Sequence, residues 1–188
     1  MSSSATKHAA TSPRIPPANR EELSDKGKEY LAIVEGPDGR KGGSKSNIVM
    51  TLAHHPDLAL PYFNFGHHVL GASTLPGRVR EIATLRTAWL HHSDYQWNKH
   101  AASALKIGVT QAEVDATKTG ADDPVWSASD QYIIRAVDQL KHTTAIDDET
   151  WQGLAQQLDQ KQLLDFVFTV GHYAMLAMFL QAVRVQEE

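Results

Sequence analysis

Apolar side chains along this chain recur at spacings of three and four, and helix-start and helix-stop residues punctuate the recurrence. Leu23, Tyr30, Leu31, Ile33 and Val34 predict a short amphipathic helix over residues 21–34, closed by Gly36-Pro37. Asp57 caps a segment running to about Gly71, and Thr74 with Pro76 opens another that runs to about His91. Ser93 and Gln96 have the spacing of a capping box for a third helix, which Gly108 terminates, and Thr110 with Glu113 opens a short fourth. Ser127 caps a segment through Lys141, a helix begins near Asp147, and Asp159 with Gln162 opens the last and most apolar one. Nowhere does an alternating strand pattern with hairpin turns occur. The pattern predicts an all-α fold, a single-domain helical bundle over residues 14–188 behind a disordered tail over residues 1–13.

The stretch from Leu163 to Leu180 is long enough to raise the question of a membrane. Asp165, Thr169, Gly171 and His172 interrupt it, and a charged group at bilayer depth is costly. A helix apolar on nearly every side predicts burial all round, as the central helix and a contact between subunits. No membrane partner is expected.

Composition narrows the chemistry. The 188 residues suffice for one sizeable core, and the absence of cysteine removes disulfides, thiolate metal sites, thiol nucleophiles and CxxC redox centres. A net charge of −4, with neither sign gathered into a block, lacks the footprint of a nucleic-acid binder. The first twenty residues are rich in Ser, Ala, Thr and Pro and have no apolar signal core, so a cytoplasmic location is expected. Gly39 to Ser46 (GRKGGSKS) departs from a phosphate-loop pattern at Ser44 and follows a helix instead of a strand; it reads as a surface loop or lid. Ten histidines is a high count. His54/His55, His67/His68 and His91/His92 are adjacent pairs, and neighbours on a helix diverge by about 100°, so neither member readily shares a metal with the other. Neither a metal nor an organic cofactor is expected.

The informative stretch is RVREIATLRTAWLHHSDYQWNKH, residues 78–100. Glu81, Leu85, Ala88 and His92 share one helical face, and Ser93, Gln96, Trp97, His100 and Ala104 share a face of the next helix. With a very short connection the two helices run antiparallel, and at a rise of ~1.5 Å per residue Glu81 and His100 differ by roughly 6 Å in height. One reading makes them a general acid/base pair. The other pairs Glu81 with Arg78, Arg80 or Arg86 and leaves His100 a satisfied core residue.

This stretch resembles the carboxymuconolactone decarboxylase superfamily, which also holds the alkylhydroperoxidase D type enzymes. Its pattern is a Glu in a helix, two Cys separated by two residues, and a His four residues after the second. Glu81 and His100 fall at that spacing, while Ser93 and Gln96 stand where the cysteines would be. The strap RIPP, the phrase NIVMTLAHHPDLALPYFNFGHHVLG and the end QLLDFVFTVGHYAMLAMFLQAV also resemble the decarboxylase-like branch. The resemblance implies a cofactor-independent lyase, or a related hydrolase or isomerase, acting on a small carboxylated lactone, and a homo-oligomer (dimer, trimer or hexamer). Without thiols, peroxidase chemistry of that branch is closed to this chain. His100, assisted by Glu81, would deliver the proton. Ser93, Tyr95, Gln96 and Trp97 would line the substrate, Arg86 would hold its carboxylate or bridge subunits, and His67, His68 and His172 are further pocket candidates. A non-catalytic, oligomeric ligand-binding protein is the alternative.

Overall fold

The computed structural model describes residues 12–36 and 45–188. Most of the expected tail, and the Gly/Lys loop up to residue 44, lie outside the described residues. Among these there are nine α-helices and no strand: α1 (Asp25–Glu35), α2 (Asn47–Leu52), α3 (Pro56–His67), α4 (Gly77–Leu90), α5 (Asp94–Lys106), α6 (Gln111–Ala116), α7 (Ala128–Thr143), α8 (Asp148–Ala155) and α9 (Gln160–Val183). The chain divides into two compact units, residues 1–63 with 179–188, and residues 64–178.

In the first unit, Ser24 caps α1 by accepting from the Gly27 N–H, and Gly36, at φ 70°, ends it in a conformation that suits a residue without Cβ. The apolar stripe then closes on α2 and the start of α3: Tyr30, Leu31, Val34, Met50, Ala53 and Ala59 are buried together. Burial pushes the Tyr30 hydroxyl up to about 12. The strap is laid down by backbone bonds, from the Arg14 N–H to Val183 O and from the Ala18 N–H to Met50 O. Asp57 lies inside the first turn of α3, not at its cap, and pairs with Lys26 at 2.9 Å.

The second unit is built around α4. Its apolar and polar residues alternate poorly as a stripe because the helix is covered on most sides: Val79, Ile82, Ala83, Leu85 and Ala88 are buried, and so are Glu81, Thr84, Arg86 and Thr87. Ile82, Ala83, Ile133, Ile134, Leu154 and Phe166 join α4 to α7, α8 and α9, while Leu85, Ala104, Val109 and Val114 join it to α5 and α6. Completely burying side chains such as Ile82 and Leu85 contributes roughly 1.5–3 kcal/mol each. The expectation that the last helix is central is thereby corrected. Leu164, Phe168, Met175 and Met178 of α9 are 45–62% exposed, because α9 packs by one face only, whereas α4 is enclosed. By length and composition α9 could cross a membrane, but 44% of its apolar window is buried within the fold.

Several helix ends follow the sequence. Thr110 and Glu113 form the capping box of α6, Ser127 and Asp147 cap α7 and α8, and Asp159 and Gln162 bond reciprocally at the start of α9. Others do not. Gly71 lies in a π-helical turn, His68–Ala72, that follows α3. Pro76, not Thr74, stands at the start of α4; the Thr74 N–H and hydroxyl both donate to Asp165. Ser93 occupies the cap position of α5 without making a side-chain cap bond, so the predicted capping box with Gln96 is not formed.

Candidate functional site

The turn at His91–Ser93 folds α5 back along α4. His92 takes φ 54° there and is exposed, so it leaves the Glu81 face on which helical spacing placed it. Glu81 and His100 meet directly: Nδ1 of His100 lies 2.7 Å from Oε2 of Glu81, with the two side chains 14% and 6% exposed. An Nδ1–H donated to the carboxylate orients the imidazole and leaves Nε2 as the nitrogen that can exchange a proton. The other carboxylate oxygen of Glu81 faces Arg80, with Nε at 3.5 Å. Glu81 therefore meets both His100 and an arginine, and of the three arginines it is Arg80 that faces it.

On the same face of α5, one and two turns before His100, stand Ser93 and Gln96. Both are buried, at 4% and 3% exposure. The Gln96 Nε2 donates to Tyr173 O at 3.2 Å, while Gln96 Oε1 and Ser93 Oγ have no hydrogen-bond partner. A buried polar atom left unmade costs about 1–3 kcal/mol. Two such atoms on the helical face that carries His100 mark a place where a polar ligand or water is favoured.

Aromatic rings continue the site onto α9. The His100 and Tyr173 rings meet edge to face at 4.8 Å, His172 and Tyr173 at 5.2 Å, and Phe65 and His172 at 5.3 Å. His172 is 3% exposed, and its pKa is pushed down to about 4, by burial first and then by the charge of His100. It is neutral at pH 7. Tyr173 and Phe65 were not singled out by spacing; the available signal is that Tyr173 lies seven residues after Phe166, on the buried row of α9.

Several residues expected to touch substrate have partners within the chain. Arg86 is buried and satisfied within the chain: Nε and Nη2 donate to the Asp138 carboxylate at 2.6 and 3.1 Å, and Nη1 donates to Thr117 O and Lys118 O. Its guanidinium holds α4 to α7 and to the turn after α6. Gly120 (φ 120°) gives it room; a Cβ there would stand 3.4 Å from Nη2. The Trp97 indole N–H donates to the Thr117 hydroxyl at 3.3 Å, and the Lys118 ammonium lies 3.9 Å over its ring. Tyr95 is half-buried under the Lys99 ammonium, 4.8 Å from its ring centre. His67 and His68 are exposed. His68 Nε2 bonds Asp165 at 2.8 Å. Burial opposes ionisation of Asp165, but the bonds from His68, Thr74 and Ser73 outweigh it and bring its pKa to about 2. Among the described residues no three His, Asp or Glu converge as metal ligands.

This helical arrangement is that of the alkylhydroperoxidase D core. The alkylhydroperoxidase AhpD core of an uncharacterized peroxidase-related protein from Ralstonia eutropha JMP134 superposes with a TM-score of 0.75 at 14% identity, over 96% of this chain and 94% of that one. A peroxidase-related protein from Silicibacter sp. TM1040 gives 0.74 at 15% identity, over 96% of each chain. The debrominase Bmp8, as a cysteine-to-alanine variant in complex with 2,3,4-tribromopyrrole, gives 0.68 at 13% identity, over 96% and 94%. At these identities the likeness is one of fold. Residues 56–139 match the carboxymuconolactone decarboxylase family, the family that the Glu81–His100 spacing resembles. The match spans somewhat less than half of the chain, which holds no cysteine and so lacks the paired cysteines of that pattern. No curated protein sequence matches it significantly.

Proposed function

We propose that this chain is a cofactor-independent lyase that uses acid/base enol chemistry on a small carboxylated lactone or a related product of aromatic breakdown. The observation that carries the reading is the Glu81–His100 bond beside the unpartnered Ser93 Oγ and Gln96 Oε1. In the proposed reaction the bond from the lactone ring to its carboxylate carbon breaks. The electron pair moves into the conjugated carbonyl as CO2 departs, and the dienolate takes a proton at carbon from Nε2 of His100. The Nδ1–H keeps its bond to the Glu81 carboxylate throughout, and Nε2 of His100 is reprotonated from solvent. Net consumption is one proton per CO2 released.

The Ser93 hydroxyl and the first-turn N–H groups of α5, which Ser93 does not cap, are the donors suited to the dienolate oxygen. With Arg86 engaged, Arg80 is the cation beside the pair and the candidate to hold the substrate carboxylate. The debrominase variant with its tribromopyrrole supports a small flat ring as a fit for this fold.

The test is CO2 release from a panel of unsaturated γ-lactone carboxylates in D2O, with one deuterium at the carbon of the dienolate that takes up the proton. His100→Ala is expected to lower turnover by about 10²–10⁴-fold with the fold retained. Unchanged turnover in that variant overturns the reading. A non-catalytic ligand-binding protein is the second reading, favoured by the near-complete burial of Glu81 between Arg80 and His100. Lactone binding with no CO2 release from any member of the panel would select it.

A further inference from the structure

A cleft of about 310 Å³ opens among α4, α7 and α9, and none of Glu81, Ser93, Gln96 and His100 lines it. Its volume is at the lower end of the range for small-molecule sites. Val137, Leu140, Val167, Val170 and Ala174 make the walls apolar. The polar groups at its edge are few and mostly committed. The Thr87 hydroxyl donates to Ala83 O and the Thr144 hydroxyl to Thr143 O. Lys141 is different: it is exposed at the cleft, no carboxylate lines the cleft, and no ion pair holds its ammonium among the described residues. His91 stands beside it with its pKa lowered by burial, then by the charge of Lys141 and by His92. Lys141 therefore supplies the positive charge of the cleft.

An apolar chamber with one uncompensated cation at its edge is complementary to one kind of molecule. We propose that this cleft binds a small amphipathic monoanion, an apolar body of one or two rings or a short alkyl chain whose carboxylate meets Lys141. The body would displace water from the apolar walls, and the carboxylate would gain a charge-assisted bond at the rim. The site is separate from the proposed acid/base centre and does not depend on it.

Gly171 provides a clean probe. It lies in the cleft on α9, and a Cβ built there meets nothing within 4 Å, so a larger side chain fills the cleft without displacing the fold. Calorimetric titration of the full chain with 2-naphthoate and with octanoate is expected to show saturable one-to-one binding of at least one. Neutral 2-naphthalenemethanol and octan-1-ol should bind at least tenfold more weakly. Lys141→Glu should weaken the anion at least tenfold, Gly171→Leu should abolish its binding, and His100→Ala should bind it as the parent does. The inference is overturned if neither anion binds saturably, if Gly171→Leu or Lys141→Glu leaves affinity unchanged, or if His100→Ala removes binding. It is equally overturned if light scattering shows an oligomer that Gly171→Leu dissociates while no anion binds, since a second copy would then occupy the cleft.

Discussion

Glu81 of α4 and His100 of α5, nineteen residues apart in the chain, are joined by a 2.7 Å bond, and Arg80 faces the remaining carboxylate oxygen. A carboxylate enclosed this far is stable only because it is paired. A double-mutant cycle with Glu81→Gln and His100→Gln, followed by urea unfolding, is expected to give a coupling of about 1–3 kcal/mol. A coupling below about 0.3 kcal/mol, the level at which independent sites simply add, would show that the bond contributes nothing to the fold.

His172 makes stability depend on pH. Its folded pKa of about 4 lies below the usual value of 6.5, so the unfolded chain binds more protons between those two pH values. By linkage, stability then rises with pH across that window and is lost as pH falls from about 6.5 toward 4, by up to roughly 3 kcal/mol from this one group. Urea unfolding of the parent and of His172→Phe at pH 7, 6, 5 and 4 checks this. The variant should show the shallower decline, and parallel curves would refute it.

The Arg86–Asp138 pair should behave as a buried ion pair does. Asp138→Ala leaves the guanidinium of Arg86 at 7% exposure with its charge unmet, and a loss of about 3–5 kcal/mol is expected. Replacing both, as Arg86→Met with Asp138→Leu, should recover most of that loss. Chemical denaturation of the three variants reads both effects, and a mild Asp138→Ala would contradict them.

Gly153 in α8 sets two effects against each other. Alanine gains about 1 kcal/mol of helix propensity. Its Cβ, however, would overlap the ring of Tyr132, and overpacking a well-filled site costs typically 1–3 kcal/mol. Net destabilisation is expected for Gly153→Ala, with relief when Tyr132→Ala is added. A rise in the melting temperature of the single variant would show that the ring moves freely.

The sequence by itself determined the helical class and most of the local grammar. Thr110 with Glu113, Ser127, Asp147 and Asp159 with Gln162 do at α6 to α9 what their spacing says, because capping is satisfied within four residues and needs no distant partner. It also brought Glu81 and His100 to similar heights on two neighbouring helices, since rise per residue and a short turn suffice for that. Tertiary structure alone decided what each buried polar group found. Ser93 and Gln96 have the spacing of a capping box, yet Gln96 turns to the Tyr173 carbonyl from 77 residues away. Thr74 serves Asp165 from 91 residues away, and Arg86 takes Asp138 from 52 away. Which helix is central was likewise not legible: α9 is the more apolar, but α4 is the one enclosed, because neighbours on several sides cover even its charged residues. Hydrophobic pattern reports how much surface a helix can bury, whereas the partners that satisfy its charges come from elements the local sequence does not name.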